Sequence, residues 1–497
     1  VKNLALLTLL AAASCTLLID TPPAPDAGFP GRSDTGLLDV GLRDARPDVP
    51  SPDFGVAIDV GQPGADVLDA AAPPEAGAPV ADVGVSTDSG ELPDALPAGD
   101  AAGHDVVTHE AGQADAAAAD VIEFADAGEP VDAGVGVDSG AMPDIGIPPG
   151  SARSIALGGL HTCVLVNDGT LECFGDNAFG QLGLEDLADR NGARVVPGIM
   201  NIDSVALGAG TSCAVLANGS LACWGRNDFG QTGDGTTTHH FTPRAVGNLS
   251  EVAQVAVGSG HTCARTRLGT VYCWGRNAEG QIGDGTRDRR AAPTQVQGLS
   301  NVLFIAAGFQ HTCVLRSDQS VLCWGANGNG QLGFAGGDSL RPRRVLAPAP
   351  VTAMSTVWDH SCAVMSGVAA CWGWNEFGQL GTNSREQSRE PTVVPGVLGV
   401  SYVAAGGHHS CGLRGGEVLC WGQNQGGQLG TGNVVDSNVA VPVQGLLGQM
   451  VEVDSGYYHT CSLSSRGVVW CWGYNEHGQI GDGTWVDRSV PQRVWGL

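Results

Sequence analysis

The triplet Cys-Trp-Gly returns at near-constant spacing through the last two thirds of this 497-residue chain. It stands at Cys223-Trp224-Gly225, Cys273-Trp274-Gly275, Cys323-Trp324-Gly325, Cys371-Trp372-Gly373, Cys420-Trp421-Gly422 and Cys471-Trp472-Gly473. A seventh copy carries Phe in place of Trp, at Cys173-Phe174-Gly175. Successive copies advance by 50, 50, 50, 48, 49 and 51 residues. A period of that length means one supersecondary unit copied seven times, and no single copy can bury its apolar face alone.

Within a copy, short strand-like runs alternate with turn residues. In the third, residues 252–257, 261–265, 270–274 and 293–296 read as strands, with Gly258-Ser259-Gly260 breaking the first from the second. Pro293 opens the last run, which suits an edge where no ladder donor is needed. Four short antiparallel strands in about 50 residues, seven times over, specify an all-β chain: a seven-bladed β-propeller of four-stranded antiparallel blades over 151–497. Both ends of that region fall at a unit boundary, so strand pairing between the first and last units is the expected closure.

The cysteines strengthen this reading. Fourteen of the fifteen fall two per unit, as Cys163/Cys173, Cys213/Cys223, Cys263/Cys273, Cys313/Cys323, Cys362/Cys371, Cys411/Cys420 and Cys461/Cys471. If the members of a pair face each other, the intervening turn is a three-residue hairpin loop such as Asn167-Asp168-Gly169, with Gly in the left-handed position. Where the spacing drops to nine, the loop becomes Ser366-Gly367 or Gly415-Gly416, the other favoured hairpin length. Ser317-Asp318-Gln319 lacks the Gly, and there Asp supplies the turn chemistry. Opposed cysteines at about 4.5–5.5 Å between Cα atoms are within disulfide reach. Seven disulfides within blades are expected in an oxidising compartment. A zinc site at His161, Cys163 and Cys173 is the weaker alternative, because His becomes Thr211 in the second copy and no fourth ligand recurs. No metal or cofactor is expected.

Charge divides the chain. Residues 16–150 hold 26 Asp/Glu against three Arg, whereas 151–497 hold 26 against 21. The first segment is Ala, Asp, Pro, Gly and Val without apolar periodicity, too poor in apolar surface to offset its ordering entropy, and is expected to be a disordered acidic linker. Neither segment offers a cationic field for phosphate backbones, so nucleic acid is not an expected partner. Residues 1–15 combine Lys2, an apolar run and Ala-Ala-Ser-Cys, and this ending resembles a bacterial lipobox. The expectation is a signal peptide, lipidation at Cys15 and a lipoprotein of the outer membrane or cell surface, touching the membrane through its acyl chains alone.

The pattern G-x-x-H-T-C, then C-W-G-x-N-x-x-G-Q-[LI]-G, then P-x-x-V, resembles the regulator of chromosome condensation repeat, a seven-bladed propeller family. Asn177, Asn227, Asn277, Asn327, Asn375, Asn424 and Asn475 match it, as do Gln181, Gln231, Gln281, Gln331, Gln379, Gln428 and Gln479. The cysteine pair departs from eukaryotic members. Bacterial exported members include a protein inhibitor of β-lactamases that binds through one propeller face, so the resemblance implies a non-catalytic binding propeller. A protein partner or a glycan on a loop face, with the chain as a monomer, is expected. The alternative, an extracellular polysaccharide hydrolase or lyase, needs paired carboxylates at the channel mouth. Guanine-nucleotide exchange fits poorly with an exported chain. Function in propellers sits where repeats differ, which makes His239, Phe241, Arg287, Arg289, Arg343, Trp358 and Trp485 the candidate partner-binding residues. The histidines at 161, 261, 311, 360, 409 and 459 recur at one blade position and are expected to serve the repeat.

Overall fold

A computed structural model describes residues 151–497. The expected signal peptide at 1–15, lipidation at Cys15 and linker at 16–150 fall outside the described residues. Among those described there are 28 strands, in seven four-stranded antiparallel sheets, and no helix. The blades span 152–195, 202–245, 252–295, 302–344, 351–398, 402–442 and 450–493, and within each the strand order follows the chain. Blade 1 is β1 (Ala152–Leu157), β2 (His161–Val166), β3 (Leu171–Gly175) and β4 (Arg190–Val195). First strands face the axis, and fourth strands form the outer edge.

The expected register is observed. Cys163 pairs with Cys173, and the equivalent cysteines pair in every other sheet. Their sulfurs lie 2.03–2.13 Å apart. Their Cα atoms are 4.0–4.1 Å apart, below the expected span. The alternation explains this. Val166 N–H donates to Thr170 O at 3.0 Å, so counting inward along the hairpin puts the cysteines at a non-hydrogen-bonded pair, the closer of the two kinds. Gly169, Gly219, Gly269 and Gly467 take positive φ in the three-residue loops. Gln319 also does, at φ 63°, while Asp318 accepts from Ser320 N–H at 3.0 Å.

The core is assembled between blades rather than within them. Each cysteine pair is roofed by the aromatic ring of the following blade: Trp224 packs with Cys163 and Cys173, Trp274 with Cys213 and Cys223, and so on around the ring. The six Trp rings are fully buried. Each buries on the order of 4–6 kcal/mol of apolar transfer free energy. The polar atoms at these seams are equally regular. The backbone carbonyl of Gln181 accepts from Trp224 Nε1 (2.9 Å) and from Ser212 Oγ (2.7 Å), both in the next blade. The same pair of bonds recurs at Gln231, Gln281, Gln331, Gln379 and Gln428. Since that hydroxyl spends its proton on the carbonyl, it accepts from His161 Nε2 at 3.0 Å, which places the imidazole proton on Nε2. Five further histidines repeat this, and burial lowers each of the six to a pKa of about 3. The recurrent histidine therefore serves the scaffold.

Closure differs from the strand pairing expected. No strand is shared between the first and last blades, because every sheet is already complete. Blade 7 meets blade 1 through the ordinary seam: Thr162 donates to Gln479 O at 2.9 Å and accepts from His459 at 2.8 Å. Phe174 packs over Cys461 and Cys471 but cannot donate to Gln479. Two carboxylates there take the places from which Gln254 and Ser355 bond the next blade's first strand at two other seams. Asp454 Oδ2 accepts from Leu157 N–H at 2.9 Å, and Glu452 Oε2 from Ile155 N–H at 3.4 Å. They occupy otherwise unpaired backbone donors of β1.

These buried groups set opposite pH limbs. The histidines bind protons more readily when unfolded, so stability falls as pH drops from about 6.5 toward 3. Burial raises Glu452 to about 8 and Asp454 to about 6, so their contribution is lost as pH rises through those values. The urea midpoint is expected to peak near neutrality. Glu452→Gln should remove a decline of roughly 1–2 kcal/mol above the peak. A midpoint that keeps rising to pH 8 in the native chain would contradict this assignment.

A candidate binding face at the mouth of the axis

Between the first and second strands each blade makes a tight turn beside the axis. In six blades a glycine precedes the turn. A Cβ on Gly308 would lie 2.2 Å from the His311 ring, and the glycines before His161, His261, His409 and His459 are similarly close to theirs, so in these five blades the turn as built leaves no room for a side chain. Blade 5 carries Val357 at this position, and its turn residue Trp358 adopts φ 33°. A bulky residue in that region is strained by about 1–3 kcal/mol, and such strain concentrates at binding sites.

Trp358 sits at the centre of an aromatic tier. Its ring stacks on Phe309 (4.7 Å between centroids, 28° between planes) and meets Tyr457 and His408 edge-on at 4.7 and 5.2 Å. His408 stacks on Phe377 at 5.0 Å, and Trp374 stands perpendicular to both. Tyr458 and Tyr474 extend the array toward His477. All these rings are half-buried, and they come from blades 4 to 7. Beneath them a small axial cavity of about 30 Å³ is lined by first-strand ends, with Phe309, Trp358 and Tyr457 in its wall. Tyr457 hydrogen-bonds Ser259 of blade 3, which braces the tier across the axis.

Blades 1 to 3 furnish a different half. Arg226 lies over the Phe179 ring at 4.9 Å and pairs with Asp228, and Arg276 lies over Phe229 at 5.8 Å and pairs with Glu279 at 3.0 Å. Asp359, next to Trp358, accepts from Asn329 Nδ2 (3.3 Å) and Gln331 Nε2 (3.1 Å). Burial raises its carboxyl to about 6, Glu279 adds to the rise, and the two amides oppose it. Burial lowers His408 to about 4, so it is neutral at physiological pH, with Nδ1 3.2 Å from Gln423 Oε1.

Of the seven candidates named from sequence, the structure brings Trp358 into this tier. His239 accepts from Asn227 N–H and stands edge-on to Phe179 at 5.4 Å, beside the charged half. Arg289 donates to Asp228 O at 3.2 Å, and Arg287 donates to Ala278 O and reaches Asp338 at 3.5 Å. Phe241 covers Gly180 of the neighbouring blade, Arg343 lies over Phe334 at 4.2 Å, and Trp485 is exposed. Four of these six, His239, Arg287, Arg289 and Trp485, lie in the connections between third and fourth strands, whereas Phe241 and Arg343, expected there too, lie within the fourth strands of blades 2 and 4, which begin earlier than the sequence suggested. Phe309, Trp374, Phe377, His408, Tyr457, Tyr458 and Tyr474 were not anticipated. They occupy the two turn positions before the repeat histidine, the position after Cys-Trp-Gly and the position before Gly-Gln, so aligning the seven copies column by column would have exposed them.

Cation sites have little support in the geometry. The Gly-Asp-Gly-Thr carboxylates are engaged: Asp284 with Thr286 and Arg290, Asp482 with Thr484 and Arg488, Asp234 with Thr236 and His240. Asp176, Asp189 and His477 offer ligand atoms within 4.8 Å of one another, but His477 already pairs with Asp189 at 2.9 Å and Asp176 accepts from Gln181.

The fold is a closed seven-bladed β-propeller with an aromatic half and a charged half at its axial mouth. The chain belongs to the regulator of chromosome condensation (RCC1) repeat family: an RCC1-like domain model matches residues 145–362, and RCC1 repeat models match 369–413, 415–463 and 466–497. Over 163 residues it is 31% identical to the ultraviolet-B receptor UVR8 of Arabidopsis thaliana, covering 32% of this chain and 26% of that one. It is 41% identical over 46 residues to the probable E3 ubiquitin-protein ligase HERC4 of Homo sapiens, 9% of this chain and 4% of that one. It therefore spans about a quarter or less of these relatives. The structure of Prp20p from Saccharomyces cerevisiae, described with its binding to Gsp1p and histones, superposes with a TM-score of 0.61 at 24% identity, over 67% of this chain and 87% of that one. Human WBSCR16 superposes with a TM-score of 0.56 at 23% identity, over 62% and 85%. At these identities the likeness is one of fold.

If the tier serves binding rather than folding, adjacent tryptophans should respond unequally. Trp372→Ala, in the seam, is expected to cost about 3–5 kcal/mol in urea unfolding, and Trp374→Ala less than about 1.5 kcal/mol. Equal costs would make the tier part of the core.

Proposed function

We propose that this chain is a non-catalytic binding propeller that engages a protein partner through the aromatic half of the axial face. The carrying observation is the continuous array of half-buried rings from Phe309 to Tyr474, drawn from four blades at positions the repeat leaves free to vary. Aromatic side chains supply large contact area at small entropic cost, the composition of interface hot spots. The relatives support the reading in kind, since Prp20p is described as binding Gsp1p and histones.

The setting belongs to the same proposal. Residues 1–15 direct export, Cys15 carries lipid at the outer membrane or cell surface, and the acidic 16–150 segment links the propeller to that anchor. In that oxidising setting the seven opposed cysteine pairs are disulfides. Each lies directly beneath the next blade's aromatic ring.

Polysaccharide cleavage is the second reading, favoured by one observation: Asp359 is an acid near the axial mouth with a carboxyl raised to about 6. Its neighbour Glu279 is ion-paired with Arg276, which weakens it as a second catalytic carboxylate. Affinity capture from envelope fractions with the whole chain separates the two readings. A protein recovered by the native chain and lost with Trp374→Ala/Phe377→Ala is the expected result. Capture that ignores those substitutions, or turnover of a glycan panel abolished by Asp359→Asn, would overturn the binding reading.

A further inference from the structure

The seven blades serve as controls for one another. On the charged half, three groups form a repeating set: a ring from one blade, a guanidinium from the next and a carboxylate beside it. Phe179, Arg226 and Asp228 are one such set, and Phe229, Arg276 and Glu279 another. Both arginines follow Cys-Trp-Gly directly.

Blades 5 and 7 keep the acid but carry a ring in place of the cation, and the ring columns of the blades before them hold Asn329 and Gly426. Trp374 and Tyr474 stand where the arginines stand, Phe377 occupies the column of Phe179 and Phe229, and Glu376 and Glu476 occupy that of Asp228. Glu476 accepts from the Tyr474 hydroxyl, and Asp359 accepts only from the neutral amides of Asn329 and Gln331. Arg385 donates to the Glu376 backbone carbonyl at 3.2 Å, but its ion pair, at 3.6 Å, is with Asp436. Among the described residues, then, this half pairs an aromatic surface with carboxylates that have no cation of their own.

Resting on the binding face proposed above, we infer that its aromatic half captures an arginine side chain from a basic loop of the partner protein. That arginine supplies from outside the cation that Arg226 and Arg276 supply from within. A guanidinium is suited to the role because it is planar, weakly hydrated and able to stack on a ring while forking toward a carboxylate. The acidic 16–150 segment, with 26 Asp/Glu against three Arg, adds a field that attracts basic partners, whereas the propeller itself is nearly balanced at 26 against 21.

Titrating the intact protein with tri-arginine amide, followed by tryptophan fluorescence and calorimetry, tests the inference, with tri-lysine amide, tri-glutamate and maltohexaose as comparison probes. Saturable tri-arginine binding is expected, several-fold weaker for tri-lysine and absent for tri-glutamate. Asp359→Asn should weaken it at least tenfold. Trp374→Arg, which installs the internal cation, should weaken it as much, while the remote Arg414→Gln stays within twofold. Urea midpoints verify that each variant is folded. Tri-arginine affinity unchanged in Trp374→Arg, or binding of maltohexaose in preference to every charged probe, would overturn the inference. The two proposals fail separately. A captured partner indifferent to Trp374→Arg and Asp359→Asn refutes the arginine and spares the face, whereas tri-arginine binding with no captured protein does the reverse.

Discussion

One backbone carbonyl per blade holds the ring together. The carbonyl of the repeat glutamine lies at the surface a blade presents to its successor, and it receives an indole N–H and a hydroxyl from there. In a dry seam a carbonyl left without donors costs about 1–3 kcal/mol, so the next blade must dock in register to satisfy it. The other regularities follow. The hydroxyl, having donated, must accept, and the buried histidine supplies the proton. In five of the six histidine blades the seat leaves no room for a Cβ, hence the glycine before the turn, and blade 5 seats His360 beside Val357 on a differently shaped turn. The indole that reaches the carbonyl also roofs the cysteine pair behind it.

That economy accounts for how much was legible in the sequence. Repeat length, strand order, cysteine register and turn type are local properties, each written into every copy, and the turns fell as expected down to Gln319, where Asp318 replaces the missing glycine's chemistry. Closure was not legible, because it depends on which atoms of β1 lack partners. Glu452 and Asp454 look unremarkable in a row of letters and become latches only when blade 7 is brought against blade 1. The aromatic tier was hidden for a related reason. Clusters such as Arg287-Asp288-Arg289-Arg290 are conspicuous in the sequence, while the rings that meet in space are scattered over four blades, in columns that elsewhere hold residues as different as Gly, Ser, Gln, Asp and Arg.

Scaffold and face thus divide the repeat between them. Columns that touch the seam are nearly invariant from copy to copy, and the departures that occur, Phe174 for Trp and Thr211 for His, remove a donor without emptying the seat. Columns that touch the axial mouth vary freely, since nothing in the seam constrains them. Blade 5 goes furthest: Val357 displaces the glycine, Trp358 takes a strained φ, and both feed the centre of the aromatic tier. Strain of this kind is sustained by a rigid surround, which the two flanking seams provide.

The shared carbonyl can be tested at Gln281, which accepts from Thr312 Oγ1 and Trp324 Nε1, both at 2.9 Å. The decisive measurement is a double-mutant cycle of Thr312→Val and Trp324→Phe by equilibrium urea unfolding. With either donor left the carbonyl is still satisfied, and only the double variant orphans it. The double variant should therefore lose more stability than the sum of the singles, by about 1 kcal/mol or more. Strictly additive losses would mean that the two bonds do not share one acceptor's fate, and the account of the seam would be wrong.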